Sequence, residues 1–414
     1  VDVVRLRALD EVAGLAEAWN RLSGGVPFRS WEWNGTWWRH YCDDGQLYVL
    51  CVRDGQQLVA VAPWYVSRHP ARGRVVRFLA AGEVCTDYQT VLCLPGREAE
   101  ASAAVADWLL AAAGQGSRHT PRAVSSKEDS LVKTVASRDD GWDLLDFSGI
   151  EAADVPMRLL LEALAARRCQ VHREAGLNCW RLDLPPTWEE YLAQLSKSHR
   201  GQVTRRVRKY FDSGRAVWHT VSHPDQLPEA FELLVVLHHR RWEHVGQPGL
   251  FDSPRYAAFH RDVAGRMLAT GQLRLHWLTL DGRPAAAEYH FAGAGVSYLY
   301  QGGMEPELFS DNPGNLAHVA AIRGAMADGY QAMDFLRGDE PYKKHFRAEP
   351  QACWDVRVVP PRVSSRLRNG AWQAGRRVKR WLTRASSPLP GARPAAGSEK
   401  PSAAQHTENA SDHG

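Results

Sequence analysis

Short apolar runs broken by Asp-Gly turns alternate along this chain with longer stretches in which apolar residues recur at helical spacing. Such alternation predicts an α/β fold with helices covering a sheet. Tyr48 to Val52 reads as a strand, Asp54-Gly55 as a tight turn, and Leu58 to Val66 as the returning strand. The arrangement recurs at Leu273 to Leu280, Asp281-Gly282 and Ala285 to Phe291, Asp-Gly being a strong two-residue hairpin signal. Each hairpin is followed by a strand (Val75 to Leu79; Val296 to Tyr300), a helix (Ala99 to Ala113; Leu316 to Ala327) and another strand (Trp142 to Phe147; Ala332 to Phe335). The order ββ, β, α, β thus occurs twice, which predicts two tandem α/β (α+β) units with mixed sheets covered by helices.

Helical stretches open each half: Leu9 to Leu22 in the first, and Pro228 to Trp242 with Pro254 to Ala269 in the second. Pro156 to Arg168 reads as a helix between them. The expected division is an N-terminal half over 1–155, a connecting helix and linker over 156–178, and a C-terminal half over 179–360, followed by a basic amphipathic segment over 361–384 and a disordered tail over 385–414. Residues 117–140 are polar and read as a loop or irregular insertion.

Composition narrows the class. With 414 residues and 44% hydrophobic content the chain can bury one large core or two smaller ones. Its seven cysteines form no CxxC pair and no Cys/His ligand spacing, so reduced thiols without structural zinc are expected, and the seventeen histidines do not suggest a metal site. No apolar run is long enough to span a bilayer and no secretory leader pattern is visible, so a soluble, cytoplasmic protein is expected. The net charge of +4 hides an asymmetry: residues 362–414 hold ten Lys and Arg against three acids, leaving the body slightly acidic. A uniformly basic nucleic-acid-binding surface is not what this describes. Trp31, Trp33, Trp37 and Trp38 are expected in core and interdomain packing rather than in a stacking site.

The densest chemistry lies between Met333 and Phe346, where a short apolar strand runs into Asp334, Arg337, Asp339, Tyr342 and Lys343. Such a cluster can manage charge during a group transfer, and it can equally be a solvated turn. A second cluster, from Ser196 to Lys209, puts Arg205, Arg206 and Lys209 on an expected helix, suited to phosphates or simply to solvent.

Four stretches carry a resemblance: Trp31-Glu32-Trp33 through Trp37-Trp38-Arg39-His40-Tyr41; Leu184-Pro185-Pro186-Thr187-Trp188 leading to Arg205-Arg206-Val207-Arg208-Lys209; Tyr298-Leu299-Tyr300-Gln301-Gly302-Gly303; and Asp334-Phe335-Leu336-Arg337-Gly338-Asp339-Glu340-Pro341-Tyr342-Lys343. With the order above, the chain resembles the GNAT-type acyltransferases of the CelD-like group, named for cellulose biosynthesis, which are related to the FemABX peptidoglycan aminoacyltransferases. The departure is that the Arg/Gln-x-x-Gly-x-Gly/Ala pyrophosphate loop of ordinary GNAT enzymes is absent. Asp311-Asn312-Pro313-Gly314-Asn315 stands in its place before a helix, where unpaired N–H groups and a glycine would let a phosphate approach, although Pro-Gly is also an ordinary turn.

The resemblance implies two GNAT-like halves, the second catalytic, and an N-acyltransferase that takes acetyl or another acyl group from coenzyme A. The acceptor would be a small amine: an amino sugar, an amino acid or an envelope or exopolysaccharide precursor. It places the donor along Tyr300, Gln301 and Gly302 and at Pro313, Gly314 and Asn315, with Gly302-Gly303 offering a backbone donor to the thioester carbonyl. Asp334 and Glu288 are the candidate bases and Tyr342 the candidate proton donor. Arg337, Asp339, Lys343, Arg205, Arg206 and Lys209 are candidates for binding an anionic acceptor or the phosphates. Two alternatives stay open: an aminoacyl-tRNA-dependent transferase of the FemABX kind, and a catalytically silent scaffold of a synthase complex.

From Val363 to Leu382 apolar residues recur at nearly helical spacing among eight bases between Arg362 and Arg384. A basic amphipathic helix of this kind suits the anionic inner face of a membrane; packing on the protein, or a disordered tail, is the other reading.

Overall fold

The computed structural model describes residues 1–43, 45–115 and 138–385. Apart from a turn at Arg138–Asp140, the expected insertion falls outside the described residues, as does the tail beyond Ala385.

The strands of the first half are β1 Asp2–Leu6, β2 Gly45–Leu47, β3 Val49–Asp54, β4 Gln57–Ala62, β5 Trp64–His69, β6 Gly73–Phe78, β7 Leu92–Cys93, β8 Leu144–Glu151 and β9 Gln170–Ala175. Then follow β10 Cys179–Asp183, β11 Ala216–Thr220, β12 Leu273–Leu280, β13 Arg283–Gly293, β14 Val296–Met304, β15 Ala332–Arg337, β16 Glu349–Gln351 and β17 Cys353–Val359. β2 and β3 are one bent strand broken at Tyr48, and β4 and β5 another broken at Pro63; the Tyr48 N–H still reaches the Trp64 carbonyl at 2.9 Å across the bend.

The second sheet runs β11-β12-β13-β14-β15-β10-β16. The first half pairs its strands as two sheets, β1-β3-β4-β7 and β2-β5-β6-β8-β17-β9, which the bent strands β2/β3 and β4/β5 join into one order, β1, β2/β3, β4/β5, β6, β8, β17, β9, with β7 flanking β4. The two orders correspond strand for strand, and in both the fourth and fifth positions form the parallel pair, β6–β8 and β14–β15. The repeated α/β plan is therefore real. Both hairpins form, but the first turns one residue later than expected, at Gly55-Gln56, with Asp54 ending its strand opposite Gln57; at the second, Asp281 and Gly282 take φ of 50° and 79°, the left-handed pair that a two-residue turn between twisted strands requires. β13 lacks alternation because Ala285 to Ala292 is buried on both faces.

The strands that complete each sheet do not respect a single cut in the chain. β17, the last strand, sits in the first sheet between β8 and β9, while β10 takes the equivalent place between β15 and β16 in the second. The chain therefore crosses between sheets after β9 and back again after β16. The division expected at 156–178 and 360 is corrected accordingly. Helix Val155–Ala166 buries Met157, Leu160 and Leu164 in the first half's core, β9 is an edge of the first sheet, and residues 353–359 belong to that sheet too. At the crossing, the thiols of Cys179 and Cys353 lie 3.7 Å apart, and all cysteines described are free.

One large core joins the halves. Trp33 from helix Trp31–Tyr41 meets Phe291 at 5.1 Å and Phe259 at 5.2 Å, and Phe28 packs edge-on to Tyr298 at 5.4 Å. Aromatic pairs like these bury large apolar areas and favour edge-to-face contact, so Trp33 holds the halves together, while the rings of Trp31, Trp37 and Trp38 pack on Trp19, Tyr41 and Tyr65 within the first half.

Candidate active site in the second half

β14 and β15 pair through Val296–Ala332, Ser297–Met333 and Tyr298–Asp334, and then part. On its other edge β14 stays bonded to β13 as far as Met304, with a register slip opposite Tyr289/His290 that leaves Tyr300 as the extra residue of a bulge. A bulge bends its strand and re-aims the local backbone, which opens a gap beside β14 from Leu299 onward. The corresponding gap in the first half is filled: Phe147 packs on Phe78 at 4.5 Å and on Trp64 at 5.2 Å. Among the expected donor residues, Gln301 and Gly302 are half-buried along this edge, while the Tyr300 hydroxyl is tied to the Val84 carbonyl at 2.7 Å. Gly303 is not an open backbone donor. Helix Leu227–His244 lies on it so closely that a Cβ there would stand 2.3 Å from the His238 nitrogen.

Helix Pro313–Ala327 starts beside the end of β14. Asn312, at φ 55°, caps it by accepting from the Asn315 N–H at 3.4 Å, and Pro313 takes the first position, where its missing N–H costs nothing. A Cβ on Gly314 would come 2.8 Å from the Met304 methyl. Helix Lys197–Arg206 and the wide turn Val207–Phe211 bring their bases to the same place. Arg206 Nη1 donates to Asn315 Oδ1 at 2.6 Å, and Lys209 lies 3.8 Å from Asp311, which also accepts from the Tyr210 hydroxyl at 2.5 Å. Pro313, Gly314, Asn315, Arg206 and Lys209 are thus together; Arg205 is exposed on the outer face of its helix.

One turn along helix Pro313–Ala327 lies His318, which with His290 joins the expected Glu288 in a group whose two histidines the sequence reading missed. His318 Nδ1 lies 2.6 Å from Glu288 Oε1, and His290 Nε2 lies 2.8 Å from Glu288 Oε2. His290 Nδ1 in turn reaches Ser297 Oγ at 3.2 Å. Burial alone would push the Glu288 carboxyl up, but the two imidazoles outweigh it and pull the pKa down to about 2. Glu288, opposite Gly302 in the sheet, therefore stays an anion and is a feeble base. His318 stacks flat against the Tyr342 ring at 5.0 Å and keeps 17% of its side chain accessible. Burial pushes the Tyr342 phenol well up, so it stays protonated. Two spacings could have pointed here: Glu288 and His290 alternate onto one strand face, and Asn315 and His318 lie three apart on a helix.

The segment after β15 does different work from that expected. Asp334 is buried; the Tyr88 hydroxyl donates to its Oδ2, and its Oδ1 accepts from the Leu336 N–H at 2.7 Å. Burial raises its pKa to about 7 despite those two donors. Arg337 Nε donates to Asp87 Oδ1 at 2.6 Å, and the Arg337 N–H to Asp87 Oδ2 at 3.2 Å. Lys343, 2% exposed, spends its ammonium on the Leu336 and Gly338 carbonyls at 3.1 and 2.9 Å and on Glu340. Asp339 accepts from the Asn178 amide and the Trp180 indole, both at 3.0 Å, at the rim of an open concavity of about 460 Å³. Asp334 and Arg337 are thus committed to bracing β15 against the first half, a role that long-range pairing hid from the sequence, and Lys343 to holding the turn that follows β15.

Among the described residues no group of three or more His, Cys, Asp or Glu side chains is placed to hold a metal, and no helix is long and apolar enough to cross a membrane.

Residues 197–344 match the family model described as an acetyltransferase (GNAT) domain. No curated protein matches the chain. Among solved structures, FemX superposes with a TM-score of 0.57 at 10% identity, over 86% of this chain and 97% of that one. A conserved protein of unknown function from Bacteroides thetaiotaomicron VPI-5482 gives 0.51 at 11% identity, over 85% and 97%. At these identities the likeness is one of fold.

Proposed function

We propose that the protein is an N-acyltransferase that carries acetyl or another acyl group from coenzyme A to a small amine such as an amino sugar, an amino acid or an envelope precursor. The observation that carries this reading is the gap between β14 and β15, opened at a bulge and ending beside the start of helix Pro313–Ala327, where Arg206 from another helix donates to Asn315. It lies within the stretch that matches the GNAT domain.

The residues suit a pyrophosphate. Gly314 leaves the helix start bare of a side chain, Arg206 adds a cation, and the nearby Asp311 is engaged by Tyr210 and Lys209. Coenzyme A would supply an activated thioester carbonyl and a stable thiolate leaving group. The acceptor nitrogen forms the new C–N bond as the C–S bond breaks. His318, held at Nδ1 by the Glu288 anion, receives the proton that the amine releases, and Tyr342, protonated and stacked on it, is the donor for the departing sulfur.

Titration calorimetry with acetyl-coenzyme A, a long-chain acyl-coenzyme A and aminoacyl-tRNA, run in parallel, tests the donor. Binding of an acyl-coenzyme A that weakens in Gly314→Val supports the reading; binding of none of the three leaves the scaffold alternative. Binding of aminoacyl-tRNA alone favours a FemABX-like donor, a second reading supported by the exposed bases Lys197, Arg200, Arg205 and Arg208 along one helix and its continuing turn.

A further inference from the structure

The helix Val363–Ala385 lies on the first half the wrong way round for a helix that contributes to a core. Its side chains that reach the body are polar or amphipathic. Ser365 Oγ donates to Asp143 Oδ1 at 2.8 Å, Arg368 Nη1 meets Asp143 Oδ2 at 2.9 Å, and Arg366 donates to the Arg168 carbonyl at 2.9 Å. Trp372 is gripped over its ring by the guanidinium of Arg72 at 4.5 Å and by that of Arg357 at 5.8 Å. The apolar positions point the other way: Val363 is 72% and Leu367 69% exposed, the two highest values for large hydrophobic side chains among the described residues, and Ala371 and Ala374 are exposed as well.

At about 100° per residue, Val363, Leu367, Ala371 and Ala374 fall within one quadrant of the helix, and Ser365, Arg368 and Trp372 fall on the side away from it. In the sequence the same spacing continues at Val378, Trp381 and Leu382. A water-facing apolar stripe sustained over several turns is unfavourable unless something covers it. The composition indicates what that is: residues 356–398 contain no acidic side chain, and eight bases lie between Arg362 and Arg384. An apolar stripe flanked by bases and free of acids is matched to a surface that is apolar beneath and anionic above.

We propose that this helix docks the protein on a bilayer rich in anionic lipid, lying in the plane of the interface with Val363, Leu367, Ala371 and Ala374 inserted among the acyl chains. The polar contacts to Asp143 and the grip on Trp372 hold the helix to the body, so docking fixes the orientation of the whole molecule and not only of a flexible tether. The proposal stands independently of the chemistry proposed above.

Flotation of the full chain with vesicles of phosphatidylcholine alone, and of phosphatidylcholine containing phosphatidylglycerol, tests it. Binding is expected only to the anionic vesicles, at low salt, with a loss of at least about tenfold near 0.5 M salt, where surface attraction is screened. The double variant Val363→Asp, Leu367→Asp is expected to lose binding by more than tenfold with an unchanged melting temperature, because both side chains are solvent-exposed in the folded protein. Equal binding of the variant and the parent, or no binding of the parent at low salt, overturns the proposal. So does a parent that sediments as an oligomer and becomes a monomer in the double variant while vesicle binding stays the same; the stripe is then an interface between copies of the chain.

Discussion

The hydroxyl of Tyr88 donates to the carboxylate of Asp334 across a sequence separation of 246 residues, which ties the strand end richest in ionisable groups to the opposite half of the molecule. Tyr88 and the neighbouring Leu336 both adopt left-handed φ, 62° and 54°. Non-glycine residues enter that region at a cost, and here the hydrogen bonds from Tyr88 and Leu336 to Asp334 hold them there.

The Asp334 pair makes stability depend on pH. With a folded pKa near 7 against 3.8 in the unfolded chain, the native state holds a proton that the unfolded state has lost. Asp334 therefore contributes most at acid pH, and its contribution falls as pH rises from about 4 to 7, by up to about 1.4 kcal/mol per unit. Asp334→Asn should flatten that part of the melting profile, with its largest relative gain above pH 7. Tyr88→Phe removes a hydrogen bond to the ionised form and should cost about 1–3 kcal/mol near pH 8. An Asp334→Asn melting profile parallel to the parent's would refute the shift.

Glu288 works in the opposite sense. Its pKa of about 2 lies below the unfolded 4.5, so the stability it adds is present above about pH 4.5 and is lost as pH falls towards 2. Glu288→Gln leaves two imidazoles without their anion and should cost about 3–5 kcal/mol, while His318→Ala should cost much less, because part of its side chain is already accessible. If His318 takes the amine proton, His318→Ala should lower turnover about 10²- to 10⁴-fold while donor affinity stays that of the parent. Turnover close to the parent's would exclude His318 as the base.

Donor binding should follow the helix start. Arg206→Ala should weaken donor affinity about tenfold or more through loss of a charged hydrogen bond, with little change in melting temperature, whereas Arg205→Ala, on the exposed face, should not. Equal effects of the two substitutions on donor affinity would place the phosphates elsewhere.

Gly302 and Gly303 should behave differently despite being adjacent. A Cβ on Gly303 meets backbone atoms of Leu237 and His238 at 2.5 and 2.3 Å, which cannot move without shifting the helix, so Gly303→Ala should cost about 3 kcal/mol or more. On Gly302 the nearest atom is the Ala287 carbonyl oxygen at 3.3 Å, and the fold should tolerate Gly302→Ala. Similar melting temperatures for the two variants would contradict the close approach of helix and strand.

Local patterns made much of this legible. β12, read as Leu273 to Leu280, and helix Pro254–Ala269 have the bounds that periodicity and turn residues imply. The first opening helix is divided at Gly14-Leu15, a break that a run of apolar spacing does not show. β9 carries no strand pattern because its side chains are mostly exposed and polar, and β16 is too short to show one; β10 and β17 take partners far away in sequence. The site divides in the same way. Pro313, Gly314 and Asn315 stood out because helix starts have a local signature, whereas the roles of Asp334, Arg337 and Lys343 depend on Tyr88, Asp87 and backbone carbonyls that no spacing reveals.

The crossing of the chain between its two sheets also sets an order of events during synthesis. β9 has β17 as its strand partner, and β17 ends at Val359, so the first sheet stays incomplete until nearly the whole body of the protein has been made. The half that is translated first cannot close first. Until β17 arrives, β8 presents an open edge of the kind that invites pairing with another chain, and the nascent protein is exposed to that hazard from residue 151 until residue 353 is made. Once closed, the second sheet is a continuous insert between two strands of the first, β9 and β17, and one core spans both halves, so heat or denaturant should dissolve both in a single cooperative step.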